Sequence, residues 1–132
     1  MKVYVNHYLD VEEKEVIMEG AKDVTIRWLV TPKFGAENFA MRYFVVKKGG
    51  HTPLHTHNYE HEIFVVKGEG YLTDGKRKIK LVQGSFAYVK PNELHQFVNE
   101  DAETFEFLCL IPNKKYNIPE EERGASDEGH TC

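Results

Sequence analysis

The chain has 132 residues, of which 41% are hydrophobic and 29% charged, with a formal net charge of −4. This length suits one domain with its own apolar core, and the acidic balance argues against nucleic acid or an anionic membrane surface as the partner. No apolar run approaches the ~20 residues of a membrane helix, and residues 1–10 lack the features of a signal peptide.

The predicted elements are mostly short strands between turns. Residues 10–19 are compatible with a turn of helix or with a short strand at 16–18. The predicted strands are 24–30, 39–46, 63–67, 71–73, 77–81, 86–89 and 104–111. Gly49-Gly50 and Gly68-Glu69-Gly70 are expected to end the second and third of these strands, and Asp74-Gly75 indicates a hairpin turn.

The spacing of these strands predicts an all-β fold, either a sandwich or a barrel. We expect a single domain over residues 1–112. The polar stretch 113–132 is expected to be a flexible tail or to pack on a neighbour. Two cysteines, Cys109 and Cys132, do not indicate a disulfide framework, and a reducing cytoplasm is the expected location.

Seven histidines occur, and three of them lie close together as His55, His57 and His61. Residues two apart on a strand point to the same face, so the rings of His55 and His57 are expected to face one interior point. His61 opens the next strand, and His95 follows the Pro91-Asn92 turn. The pattern predicts that these four imidazoles bind one divalent metal ion. We interpret His7, His51 and His130 as ordinary surface or core residues.

Imidazole donors suit zinc, copper, iron, nickel and, more weakly, manganese. Four neutral donors leave the ion its full charge. A six-coordinate ion would keep two positions open for water, dioxygen or a chelating substrate, as in a reactive site rather than a closed structural one.

These spacings resemble the two motifs of the cupin superfamily. The first is matched by Gly49, His55, His57, His61 and Gly68, and the second by Gly84, Pro91, His95 and Asn99. His61 stands where most cupins have a glutamate, which removes a negative charge and an obvious base from the metal's surroundings. Glu62, beside it, is interpreted as an outward-facing surface charge.

The resemblance covers roughly residues 24–112 and is nearest to small single-domain bacterial cupins with four histidines. It implies a jelly-roll barrel, or double-stranded β-helix, and commonly a homodimer. It also implies manganese as the first choice of metal, with iron, zinc, nickel and copper as alternatives. One member of that subgroup acts on alkenes with a peroxide or dioxygen.

Three further residues are candidates for the pocket wall. In 104–111, Phe107 and Cys109 share the face that should look into the barrel. For Cys109 the favoured interpretation is a small buried hydrophobe, as free cysteines usually are. Arg42 either points inward to hold an anionic group or pairs with an acidic neighbour.

The leading functional hypothesis is a metal-dependent oxidoreductase of dioxygenase type, because the four-histidine site has open positions and aromatic walls. A small apolar or aromatic substrate is expected rather than a sugar phosphate, because no basic cluster for phosphate is visible. A non-catalytic module that binds or senses a metal or small molecule is the alternative. A metal-assisted isomerase or lyase ranks lowest, because it needs a base that the sequence does not provide.

Overall fold

The computed structural model describes residues 1–113 and Cys132, so most of the predicted tail lies outside the described residues. Eight strands and two short 3-10 turns make up the regular structure. The strands are β1 (Lys14–Glu15), β2 (Lys22–Val30), β3 (Phe39–His51), β4 (His61–Thr73), β5 (Lys78–Val82), β6 (Phe86–Val89), β7 (Gln96–Val98) and β8 (Thr104–Pro112). The 3-10 turns are Tyr8–Asp10 and Pro32–Phe34. Among the described residues, no helix has the length and apolar character needed to span a bilayer.

The strand pairings close the sheet on itself. Strand β3 pairs antiparallel with β2, β7 and β8, and β4 pairs antiparallel with β5, β6, β7 and β8. Because β7 and β8 each join β3 to β4, the path through these four strands returns to its start. The predicted all-β jelly-roll barrel is confirmed.

Alternation along β8 fills the barrel interior as predicted. Phe105, Phe107, Cys109 and Ile111 are all buried, because every second side chain of a strand points to the same face. The rings of Phe44 and Phe97 lie 5.4 and 4.8 Å from that of Phe107, and together these side chains form the centre of the apolar core.

Strands β3 and β4 run longer than the sequence predicts. Both continue through the glycines that were expected to end them, so that prediction is wrong. Gly49 and Gly68 adopt φ of +79° and +75°, a region that glycine enters without steric cost, and the strands therefore continue past them. At Gly68 a Cβ atom would overlap the carbonyl oxygen of Thr104, so only glycine permits this close approach.

Two local predictions need adjustment. Asp74-Gly75 does connect two strands, but β4 and β5 pair last at Thr73 and Lys78, so four residues form the connection. Near the N-terminus, the short strand is β1 rather than 16–18, and the single turn of helix is centred on Leu9.

Candidate metal centre

The four predicted histidines come from three separate segments of the barrel. His55 and His95 form an isolated antiparallel bridge in which each main-chain N–H donates to the other's carbonyl, at 3.1 and 3.0 Å. His57 follows in the same extended segment, and His61 is the first residue of β4. The bridge holds residues distant in sequence side by side, and this was not foreseen from the sequence.

The structure brings all four imidazole rings together. The Nε2 atoms of His55 and His57 lie 3.0 Å apart, as expected for two residues on one face. The ring centroid of His61 lies 4.9 Å from that of His57 and 5.0 Å from that of His95. Ligand atoms of His55, His57 and His95 all lie within 4.8 Å of one another, whereas the ring nitrogen of His61 forms a separate group of this kind with the sulfurs of Cys109 and Cys132. We call these four residues the histidine cage.

Two histidines of the cage present a ring nitrogen without a partner. In His95, Nδ1 lies 2.9 Å from the carbonyl oxygen of Glu93, so this nitrogen carries the proton and donates it. Its Nε2 is buried with no hydrogen-bond partner among the described residues, and so is Nε2 of His61. A buried polar atom left unpaired costs free energy, so these atoms indicate a site built for something else.

The local environment keeps these rings neutral. The pKa of His55 is lowered to about 4, mainly by burial; the main-chain oxygen of Cys132 opposes this change, and the neighbouring His95 and Arg42 add to it. Burial, with the charge of Arg42 next in importance, holds the pKa of His61 well below its usual value. Burial also lowers the pKa of His95. Neutral imidazoles keep the lone pairs that a metal ion needs.

Arg42 points into the barrel, as one of the two alternatives required, and its role of holding an anionic group stays a prediction. It is 1% exposed, and burial lowers its pKa to about 10, so it stays charged near neutral pH. Its Nη2 donates to the sulfur of Cys109 at 2.8 Å, while its Nε has no hydrogen-bond partner in residues 1–113 or Cys132. Within the described residues, no carboxylate forms an ion pair with it. A buried cation without an acidic partner is costly and attracts anions.

Cys109 is not the free thiol that the sequence indicated, because it forms a disulfide with Cys132. The sequence did not indicate a disulfide framework, and that prediction is wrong for this pair. Twenty-three positions separate them in sequence, and only the tertiary structure shows that they meet. Nδ1 of His61 lies 3.4 Å from the sulfur of Cys109 and 3.6 Å from that of Cys132.

Sequence reasoning missed two residues beside the cage. Tyr59, which is buried, stacks its ring on His57 with 4.8 Å between centroids. Cys132, also buried, places its carbonyl oxygen 3.3 Å from Nε2 of His55. An aromatic residue between two predicted ligands was a usable signal for Tyr59, whereas nothing local marks Cys132.

The other predicted positions have simpler roles. Phe107 packs against Phe44, Phe97 and Phe105 in the core. Glu62 is exposed, as expected. His7 is exposed, His51 is half-buried at the end of β3, and His130 lies outside the described residues. A cavity of about 300 Å³ opens beside His95, with the apolar side chains of Leu72, Ile79, Tyr88 and Leu94 in its wall.

A closed all-β barrel with histidines clustered in its interior is the architecture of the cupins. Residues 42–111, more than half of the chain, match the Cupin domain family. The chain therefore belongs to this family, as the motif spacing predicted.

Three known proteins illustrate the similarity. The structure of the polyketide cyclase RemF from Streptomyces resistomycificus is 34% identical, with a TM-score of 0.79 over 83% of this chain and 79% of that one. Rru_A2000 from Rhodospirillum rubrum, a cupin-2 domain, is 23% identical, with a TM-score of 0.72 over 84% and 75%, and shows the fold alone. The 1-methylthio-D-xylulose 5-phosphate methylsulfurylase of R. rubrum is 30% identical over 71 residues, 54% of this chain and 46% of that protein. The matched stretch thus spans less than half of that curated relative.

Proposed function

We propose that this cupin is a metal-dependent enzyme whose His55, His57, His61 and His95 hold one divalent transition metal ion. The observation that carries the proposal is the pair of buried, unpartnered Nε2 atoms of His61 and His95 beside the paired rings of His55 and His57. Metal coordination satisfies these atoms without a hydrogen bond.

The donor set fits such an ion. Two nitrogen ligands at about 2.1 Å from a metal and at right angles to each other lie about 3.0 Å apart, and the Nε2 atoms of His55 and His57 are 3.0 Å apart. The proton that His95 donates through Nδ1 to Glu93 leaves Nε2 as the ligand atom, the usual arrangement around a bound metal. Manganese is the first candidate, and iron, zinc, nickel and copper are alternatives.

When bound, the ion supplies Lewis acidity toward a substrate oxygen and, if redox-active, reactivity with dioxygen or a peroxide. The chain's own residues supply the rest of the site. Arg42 offers a buried positive charge to an anionic or enolic group. The four histidines bring no negative charge that would offset the positive charge of the ion.

The leading reaction class is oxidation of dioxygenase type on a small apolar or aromatic substrate. The buried aromatic ring of Tyr59, stacked on His57, favours such a substrate. The second candidate is ring closure of an enolisable polyketone without net oxidation. It is favoured by the similarity to the polyketide cyclase, which extends over 83% of this chain.

Metal analysis of the full-length protein as isolated, beside the His57→Gln variant, tests the proposal. We expect about one ion per chain after dialysis, and its loss in the variant. His51→Gln is the matched control, because His51 is half-buried on β3 outside the cage. A parent protein that retains no transition metal, or a His57→Gln variant that retains it fully, would contradict the metal site.

Two assays on the loaded protein then separate the reaction classes. Oxygen uptake with phenols, alkenes and diketones reports oxidation, and absorbance of a poly-β-ketone analogue under nitrogen reports ring closure. If neither signal appears with the site full, the alternative of a binding or sensing module replaces the enzyme.

Association into a homodimer is also part of the proposal. The outer face of β4 and β6 exposes Phe64 and Phe86, at 47% and 82%, and exposed aromatic residues of this kind are common at interfaces. Light scattering at two concentrations measures the mass, and a monomer at both would contradict this part.

A further inference from the structure

Cys132 occupies a position inside the candidate site. Its side chain is fully buried, and its sulfur lies 3.7 Å from Nη2 of Arg42 and 3.6 Å from Nδ1 of His61. Its carbonyl oxygen lies 3.3 Å from Nε2 of His55. One residue therefore contacts two members of the cage and the buried cation at the same time.

These contacts resemble those that a substrate would make. The main-chain oxygen of Cys132 lies beside Nε2 of His55, which is a predicted metal ligand. The polarisable sulfur of Cys132 faces the guanidinium of Arg42. The same volume cannot hold both Cys132 and a ligand that uses the same partners.

A covalent bond keeps Cys132 in this position. The disulfide joins it to Cys109 on β8, whose neighbours in the barrel are Arg42 on β3 and Ile63 on β4. A disulfide between a core strand and residue 132 strongly limits how far residue 132 can move away.

We propose that the Cys109–Cys132 disulfide is a redox latch that holds Cys132 in the ligand position of the histidine cage and that its reduction frees this position. The inference rests on the proposed metal site for its functional meaning. Reduction by a dithiol breaks the protein S–S bond, transfers two electrons and two protons to the cysteines, and converts the dithiol to its own disulfide.

Arg42 indicates which ligand takes the place of Cys132. The neutral disulfide leaves the buried guanidinium without an acidic partner among the described residues. An anion that binds the metal through oxygen, such as a catecholate, an enolate or a carboxylate, satisfies Arg42 and the ion together.

The test compares full-length, manganese-loaded protein in its oxidised form and after dithiothreitol treatment and anaerobic desalting. The probe is 4-nitrocatechol, a coloured chelating anion. We expect the reduced protein to bind it at least about tenfold more tightly than the oxidised protein. Cys132→Ser should bind it tightly in both conditions, and Cys109→Ser should do the same, because neither variant can form the latch.

The outcomes for the latch and for the metal site are distinguishable. If metal is retained and 4-nitrocatechol binds equally in both redox states, the latch is wrong and the metal site stands. If neither form retains metal, the metal site is wrong, and the rate of diethyl pyrocarbonate modification at His55 decides the latch. Faster modification after reduction supports release of Cys132, and equal rates overturn it.

Discussion

The barrel interior contains two neighbouring regions built from the same strands, an aromatic cluster and the histidine cage with its buried arginine. Moving two residues along β3 leads from Phe44 to Arg42, and the same step along β8 leads from Phe107 to Cys109. All four side chains are buried. The strand period therefore places both regions on the inward face, although one consists of apolar rings and the other of a cation and a disulfide.

The two regions differ in how completely their groups are satisfied. The aromatic rings pack against one another at centroid distances of 4.8 to 5.4 Å. The polar region contains unpartnered Nε2 atoms in His61 and His95 and an unpartnered Nε in Arg42. The first region is expected to stabilise the fold, and the second to lower its stability in exchange for binding.

The largest expected effect is in the aromatic cluster. Phe107→Ala should lower the free energy of unfolding by about 3–5 kcal/mol, because it leaves a cavity among Phe44, Phe97 and Phe105. Urea unfolding measures this, and Phe64→Ala on the exposed outer face is the control, expected to cost less than about 1 kcal/mol. If the two variants lost equal stability, the assignment of stability to this cluster would be wrong.

Next in size is the effect of removing a cage residue. His95→Ala should weaken metal binding by at least about 100-fold, or about 2.7 kcal/mol. Removing a ligand should cost more affinity than removing a residue that only hydrogen-bonds a ligand, for which losses of up to about 100-fold are typical. The metal-free variant should also lose some stability in urea, because the substitution leaves a cavity and removes the hydrogen bond from Nδ1 to the carbonyl oxygen of Glu93. Chelator competition measures the affinity. Unchanged affinity would place His95 outside the metal's surroundings.

Arg42 gives a smaller effect of opposite sign. Arg42→Met should raise the stability of the metal-free protein by about 1–2 kcal/mol, since an apolar side chain of similar length replaces a buried cation without an acidic partner. The same variant should weaken 4-nitrocatechol binding to the reduced, metal-loaded protein. A destabilised variant would mean that Arg42 contributes to the fold rather than to binding.

The last expected effect concerns pH. Burial lowers the pKa of three histidines of the cage, to about 4 for His55 and below the usual value for His61 and His95. In the folded metal-free protein these rings stay neutral at a pH where the histidines of the unfolded chain already take up protons. The folded protein therefore has its full stability above pH about 6.5. It loses stability as the pH falls toward about 4, because the unfolded chain takes up protons that the folded rings do not. Urea midpoints at pH 7 and pH 5 measure the loss, and His55→Gln should reduce it. A urea midpoint that is higher at pH 5 than at pH 7 would contradict this prediction.

The sequence alone determined the fold class, the inward face of β8 and the identity of the four clustered histidines. Alternation with period two and the spacing between turns are local properties, and they are visible in residues such as Phe105, Phe107 and Cys109. The glycines were harder to interpret. A glycine such as Gly49 or Gly68 occurs both where a strand ends and where a strand continues with a bend, so the sequence does not distinguish the two cases.

Only the tertiary structure decided which groups meet across the barrel. The bridge between His55 and His95, the approach of Arg42 to Cys109 and the disulfide to Cys132 all join residues at least 23 positions apart. Periodicity assigns a side chain to a face but does not specify its neighbour on another strand, because register and closure depend on the packing of the whole barrel. For that reason the four clustered histidines and an inward-facing Arg42 could be predicted residue by residue, whereas the contact between Arg42 and Cys109 and the disulfide to Cys132 could not.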